Sequence, residues 1–200
     1  VPVGPPAMGF EFEGDRAVVP WMDSGSVGLR AVSPDGQIET LVEGRSIVTG
    51  FDTSGPTLVY TVSTIESPGE LVMRTGDGEH RLSEFGGVVP EVTQPEHFTV
   101  DGLDVWVYLP DGDEEVPLLL NIHGGPAGQY GWGFFDEFQV YVSAGYGVVA
   151  TNPRGSGGGD RDFLRAVRGS GWGEVDVEDI DRVVAAALER FPRLSQERLG

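Results

Sequence analysis

The chain has 200 residues, 39% of them hydrophobic, and its 13 basic against 32 acidic residues give a net charge of −19. Such an acidic surface argues against nucleic acid or an anionic membrane as a partner, because both are polyanions. With no cysteine, disulfides, thiolate nucleophiles and cysteine-ligated metals are excluded, and His80, His97 and His123 stand apart in sequence, so no metal or other cofactor is expected. No apolar stretch approaches the roughly 18 residues of a membrane span, and no basic-then-apolar signal pattern opens the chain, so a cytoplasmic location is expected.

The first ninety residues contain a repeat. Gly9-Phe10-Glu11, Gly14 and Ala17-Val18-Val19 recur as Gly50-Phe51-Asp52, Gly55 and Leu58-Val59-Tyr60, an offset of 41 residues (50 − 9). A period of about 40–45 residues with several short strands per unit is the mark of propeller blades, although a β-sandwich also has strands this short. In the second repeat the runs 46–52, 57–63, 70–75 and 79–82 read as strands. They are separated by Thr53-Ser54-Gly55-Pro56, Glu66-Ser67-Pro68-Gly69 and Gly76-Asp77-Gly78, which carry turn chemistry. Residues 1–87 are therefore expected to be two antiparallel blades, the first incomplete.

Beyond Gly86-Gly87, residues 88–97 hold two prolines and no periodicity, and read as a linker. Leu103, Val105, Val107 and Leu109 then alternate with Asp104, Trp106 and Tyr108, as in a half-buried strand. The acidic run Asp111–Glu115 reads as a solvated hairpin loop. Pro117–Ile122 is apolar almost without a break, which suits a parallel strand covered on both faces, and Gly147–Thr151 repeats the pattern. Between them Phe135, Phe138, Tyr141 and Val142 fall at helical spacing, with Gly145 as the residue that ends the helix. Val177, Ile180, Val183, Val184, Ala187 and Leu188 form the apolar face of a second helix. Its start is acidic and its end basic, as the helix dipole favours. The order strand, helix, strand, helix over residues 98–200 is α/β.

His123-Gly124-Gly125-Pro126 directly follows the first buried strand, at the sheet edge where α/β proteins bind ligands. The two glycines allow a sharp turn and expose bare N–H groups, which is what stabilising an oxyanion requires. This motif, Asn152-Pro153-Arg154-Gly155-Ser156-Gly157-Gly158-Gly159 after the next strand, and Gly171-Trp172-Gly173 before an acidic helix together resemble the prolyl oligopeptidase family, closest to its acylaminoacyl-peptidase branch. The resemblance implies propeller blades followed by the N-terminal half of an α/β-hydrolase domain, in a serine peptidase acting on short or acylated peptides. It implies that the backbone N–H of Gly125, beside that of Gly124, holds the oxyanion, and that His123 braces the loop.

Chain order supports that role for His123, since α/β-hydrolase triads run serine, acid, histidine, and a histidine upstream of the nucleophile is misplaced for proton transfer. No Gly-x-Ser-x-Gly elbow occurs; Ser156 and Ser170 adjoin glycines but lack them at both −2 and +2. The triad serine, acid and histidine are expected beyond Gly200, so this segment alone should be inactive. Arg154 is expected to anchor its loop, and Asp176, Asp179 and Asp181 to be a solvated helix start. Nucleotide binding is disfavoured by the missing third glycine after Gly155-x-Gly157 and by the complete absence of lysine. A His-Gly-Gly-x esterase or lipase and a non-catalytic propeller module are the other functions the motifs allow.

Overall fold

In a computed structural model the described residues are 9–89, 91–125 and 127–200, so Pro126 of the His-Gly-Gly-Pro motif lies outside them. They form two sheets of very different construction. The first collects β1 (Glu11–Glu13), β2 (Arg16–Asp23), β3 (Ser26–Val32), β4 (Ile38–Val42), β5 (Ile47–Ser54), β6 (Thr57–Thr64), β7 (Ser67–Thr75) and β8 (Gly78–Arg81). These make two antiparallel four-stranded meanders that share one core and whose strands pair through a single parallel bridge, Val27 with Ile47. The first repeat, expected to be incomplete, thus also has four strands. Alternation along β3 buries Val27, Leu29 and Ala31, and β6 adds Leu58 and Tyr60 to the same core. One face of this sheet is apolar, as period-two patterning requires.

One turn was misplaced by the sequence pattern. Ser67, Pro68 and Gly69 lie inside β7, and the chain reverses at Ile65-Glu66 instead. Proline is tolerated there because β8 pairs only with Val72–Thr75, so nothing on that side requires an N–H from Pro68.

The second sheet has the order β13-β11-β12-β10-β9, built from β9 (Glu96–Val100), β10 (Leu103–Tyr108), β11 (Val116–Asn121), β12 (Gly147–Thr151) and β13 (Leu194–Leu199). Strand β9 takes in Glu96 and His97, the last residues of the stretch read as a linker. Strands β11, β12 and β13 are mutually parallel where they pair, whereas β10 runs antiparallel to β12 and to β9. The acidic segment Asp111–Glu115 is therefore not a hairpin loop, because β12 lies between the strands it joins. Arg193 holds that segment through the carbonyls of Pro110, Asp111 and Glu114.

From β11 the chain passes through α1 (Asp136–Ser143) to β12 on one side; from β12 it passes through the short helix α2 (Arg161–Arg165) and then α3 (Val175–Arg190) to β13 on the other. Right-handed crossovers running in opposite directions put their helices on opposite faces. Phe138 and Val142 of α1 accordingly pack with Trp106, Tyr108, Val148 and Ala150. Val183 and Ala187 of α3 pack with Val105, Val107, Leu118 and Val149. This two-sided cover corrects the half-buried reading of β10: Trp106 and Tyr108 are as buried as Val105 and Val107. It also explains Val177, expected on the apolar face of α3 but 47% exposed, because the helix is covered only from its second turn onward. Helix α1 ends as its sequence requires, with Gly145 at φ 89° and its N–H donated to Val142 O.

The sheets meet through both backbone and side-chain hydrogen bonds. The tight turn between β2 and β3 places Ser24 and Gly25 at positive φ (45° and 77°), the geometry of a two-residue hairpin loop. Gly25 O accepts from Trp132 N at 2.9 Å, and Ser24 O from Trp132 Nε1 at 3.2 Å. A methyl group on Gly131 would lie 1.7 Å from Gly25 O, so the approach is possible only for glycine.

Candidate active site

The loop leaving β11 and the loop leaving β12 lie side by side at the carboxyl edge of the second sheet, and they are joined at five points. Ala127 N donates to Gly155 O (3.1 Å) and Gly157 N to Gly128 O (2.9 Å). The buried Asn152 side chain mimics a backbone partner for Tyr130, accepting from its N–H (2.8 Å) and donating to its carbonyl (2.9 Å). His123 Nε2 lies 2.8 Å from Ser156 Oγ. Such saturation keeps buried loop backbone from leaving polar groups unpaired.

Against this frame Gly124 and Gly125 are exposed, and among the described residues no acceptor takes either N–H. His123, partly buried, contacts Gly124 O through Nδ1 at 2.9 Å. Burial lowers the imidazole pKa below its ordinary value, an effect partly offset by the bond to the Gly124 carbonyl. Burial therefore favours the neutral ring.

A serine 2.8 Å from a histidine has the outline of a nucleophile and its base, and the surroundings decide against that reading. Ser156 is 1% exposed, so a substrate carbonyl cannot reach Oγ. The second imidazole nitrogen is held by a carbonyl oxygen, where a catalytic triad has a carboxylate.

Behind the second loop, Arg154 forms the strongest polar contact of this region. Its Nε and a terminal nitrogen both reach Asp179 at 2.8 Å, and its backbone N–H donates to the same carboxylate at 2.9 Å. Arg154 thus anchors its loop as expected. Asp179, by contrast, is no solvated helix residue: it is 1% exposed and ties α3 to the loop. In an acidic run, a buried aspartate looks the same as its solvated neighbours, and only the arginine 25 positions earlier gives a hint. A cavity of about 390 Å³ lined by Trp21, Arg30, Arg45, His97, Asp104 and Trp132 lies between the sheets, away from His123–Gly125.

The architecture and the loop sequences have known counterparts. Residues 132–200 match the profile of the prolyl oligopeptidase family. Over 194 residues the chain is 34% identical to an uncharacterized peptidase, YuxL, of Bacillus subtilis, covering 89% of this chain and 29% of that protein. The acylaminoacyl peptidase of Pyrococcus horikoshii superposes with a TM-score of 0.88 at 30% identity, over 96% of this chain and 32% of that one. The chain belongs to the prolyl oligopeptidase family. A further structure, an acylaminoacyl peptidase in complex with Z-Gly-Gly-Phe-chloromethyl ketone, superposes with a TM-score of 0.86 at 31% identity over the same shares of the two chains. This prolyl oligopeptidase relative spans about a third of the length of the proteins it matches, and its mostly β fold is that of acylaminoacyl peptidase.

Proposed function

We propose that this chain supplies the oxyanion loop of a serine peptidase that hydrolyses short or acylated peptides through an acyl-enzyme. In this reading residues 1–87 are blades of a propeller, 88–97 a linker, and 98–200 the N-terminal part of an α/β-hydrolase domain. The serine, acid and histidine of the triad come from sequence following Gly200. One observation carries the reading: β13 runs parallel beside β11, with Gly200 N donating to Leu118 O and Leu120 N to Gly200 O, both 2.9 Å. Chain continuing from Gly200 emerges at the same carboxyl edge as His123–Gly125, where parallel sheets bind their ligands.

The chemistry follows from that juxtaposition. The serine hydroxyl attacks the scissile carbonyl while the triad histidine takes its proton, and the carbonyl oxygen becomes an oxyanion. The Gly125 N–H, held in place before substrate arrives, meets that charge together with the N–H following the serine. Collapse breaks the C–N bond, the amine leaves with the proton from the histidine, and water then releases the acyl group by the same steps. His123, neutral and occupied at both nitrogens, moves no proton. The peptidyl chloromethyl ketone held by the related acylaminoacyl peptidase supports peptides as the substrate class.

The test is hydrolysis by the full-length protein of short peptides, with free or acylated N-termini, set against simple esters of similar size. The expected result is amide cleavage of the peptides. Cleavage confined to the esters would favour the esterase alternative and overturn the peptidase assignment.

A further inference from the structure

His123 and Ser156 meet across the two loops, and their hydrogen-bonding capacities fix where each proton sits. A carbonyl oxygen only accepts, so the 2.9 Å contact with Gly124 O puts a proton on His123 Nδ1. In the neutral ring Nε2 then carries a lone pair, and the Ser156 hydroxyl 2.8 Å away must donate to it. Ser156 cannot drift from this position. Its own N–H is given to Pro153 O at 3.0 Å, its neighbours Gly155 and Gly157 are bonded to Ala127 and Gly128, and the side chain has almost no contact with solvent.

The carbonyl of Gly124 and the N–H of Gly125 belong to one peptide unit, which is planar and trans. Fixing the direction of that C=O therefore fixes the direction of that N–H, pointing the opposite way. We infer that Ser156 is a positioning residue for the oxyanion loop: its hydroxyl holds His123 as the Nδ1–H tautomer, and that proton anchors the Gly124–Gly125 peptide with the Gly125 N–H turned outward. The line runs Ser156 Oγ, His123 Nε2, His123 Nδ1, Gly124 O, Gly125 N, with no link longer than 2.9 Å between side chain and partner. Without the donor at Nε2, the ring gains freedom to place its proton on either nitrogen, and the Nε2–H form has nothing to offer the Gly124 carbonyl. This inference rests on the oxyanion role proposed for Gly125.

The experiment is a double-mutant cycle in the full-length enzyme with a short peptide substrate, reading kcat and KM separately. Ser156→Ala should lower kcat about 10-fold with KM changed less than twofold, since misplacing a preorganised group affects the transition state more than ground-state binding. His123→Ala should lower kcat at least as much, and adding Ser156→Ala to it should cost less than a further twofold. Ser156→Cys, close in size with a weaker donor, should show a smaller loss of the same kind, which keeps the test open if the alanine variant does not fold. Losses in the two single variants that multiply in the double variant would overturn the inference while leaving the loop's role intact, as would an unchanged kcat in Ser156→Ala alone. An unchanged kcat in His123→Ala would likewise overturn the inference, whereas an unchanged kcat in Gly128→Ala, whose methyl would lie 2.3 Å from Gly124 O, would overturn the oxyanion reading itself.

Discussion

Gly128→Ala is expected to reduce kcat of the full-length enzyme about 100-fold while KM moves only a few-fold, the pattern of a lost transition-state interaction. A methyl group on Gly128 would lie 2.3 Å from Gly124 O and 2.9 Å from His123 Nδ1, closer than side-chain atoms pack. The obstruction is backbone, so it cannot be relieved by a rotamer change. The peptide that must move is the one carrying the Gly125 N–H, and displacement of a catalytic group by an ångström costs about 100-fold in rate. A loss expressed mainly in KM would indicate that the loop contacts substrate rather than the developing charge. Among the described residues beyond their chain neighbours, no atom lies within 3.4 Å of a methyl added at Gly124 or Gly125, so packing does not demand glycine at either position.

Asp179→Ala is expected to destabilise the second sheet by about 2 kcal/mol, because it leaves the Arg154 N–H without its acceptor and the guanidinium with only the Val175 carbonyl and Glu178 as partners. Asp181→Ala, which makes the same change of charge two residues further along the helix at an exposed position, should cost less than about 0.5 kcal/mol. The two variants are compared by denaturant midpoint in the full-length protein. Equal midpoints would mean that the Arg154–Asp179 pair does not hold α3 to the loop.

The parts of this molecule that repeat or alternate were legible in its sequence. The strands of the second repeat were placed to within one to three residues because Asp-Gly and Gly-Pro turns punctuate them. The failure at Ser67-Pro68-Gly69 shows the limit of that reasoning: a proline is compatible with a strand wherever one side of the ladder is empty, and sequence does not say which side that is. Period two assigns Trp106 and Tyr108 to the solvent face, yet α1 covers that face. The Gly124-Gly125 pair was visible, whereas the residues supporting it were not. Asn152, Ser156 and Gly128 act through partners 22 to 33 residues away or across a neighbouring loop, and only the fold brings them together. A sequence motif displays the groups that meet substrate; the groups that orient them follow from topology.

In the proposed peptidase this chain contributes the oxyanion donors and the nucleophile follows it in sequence. A fluorophosphonate probe reacts only with an activated serine, and mapping the labelled peptide in the full-length protein locates the nucleophile. The expected result is one labelled serine shortly after residue 200, no label at Ser156 or Ser170, and labelling slowed by Gly128→Ala. Stoichiometric labelling of Ser156 would contradict it, and would make the Ser156–His123 contact a catalytic pair.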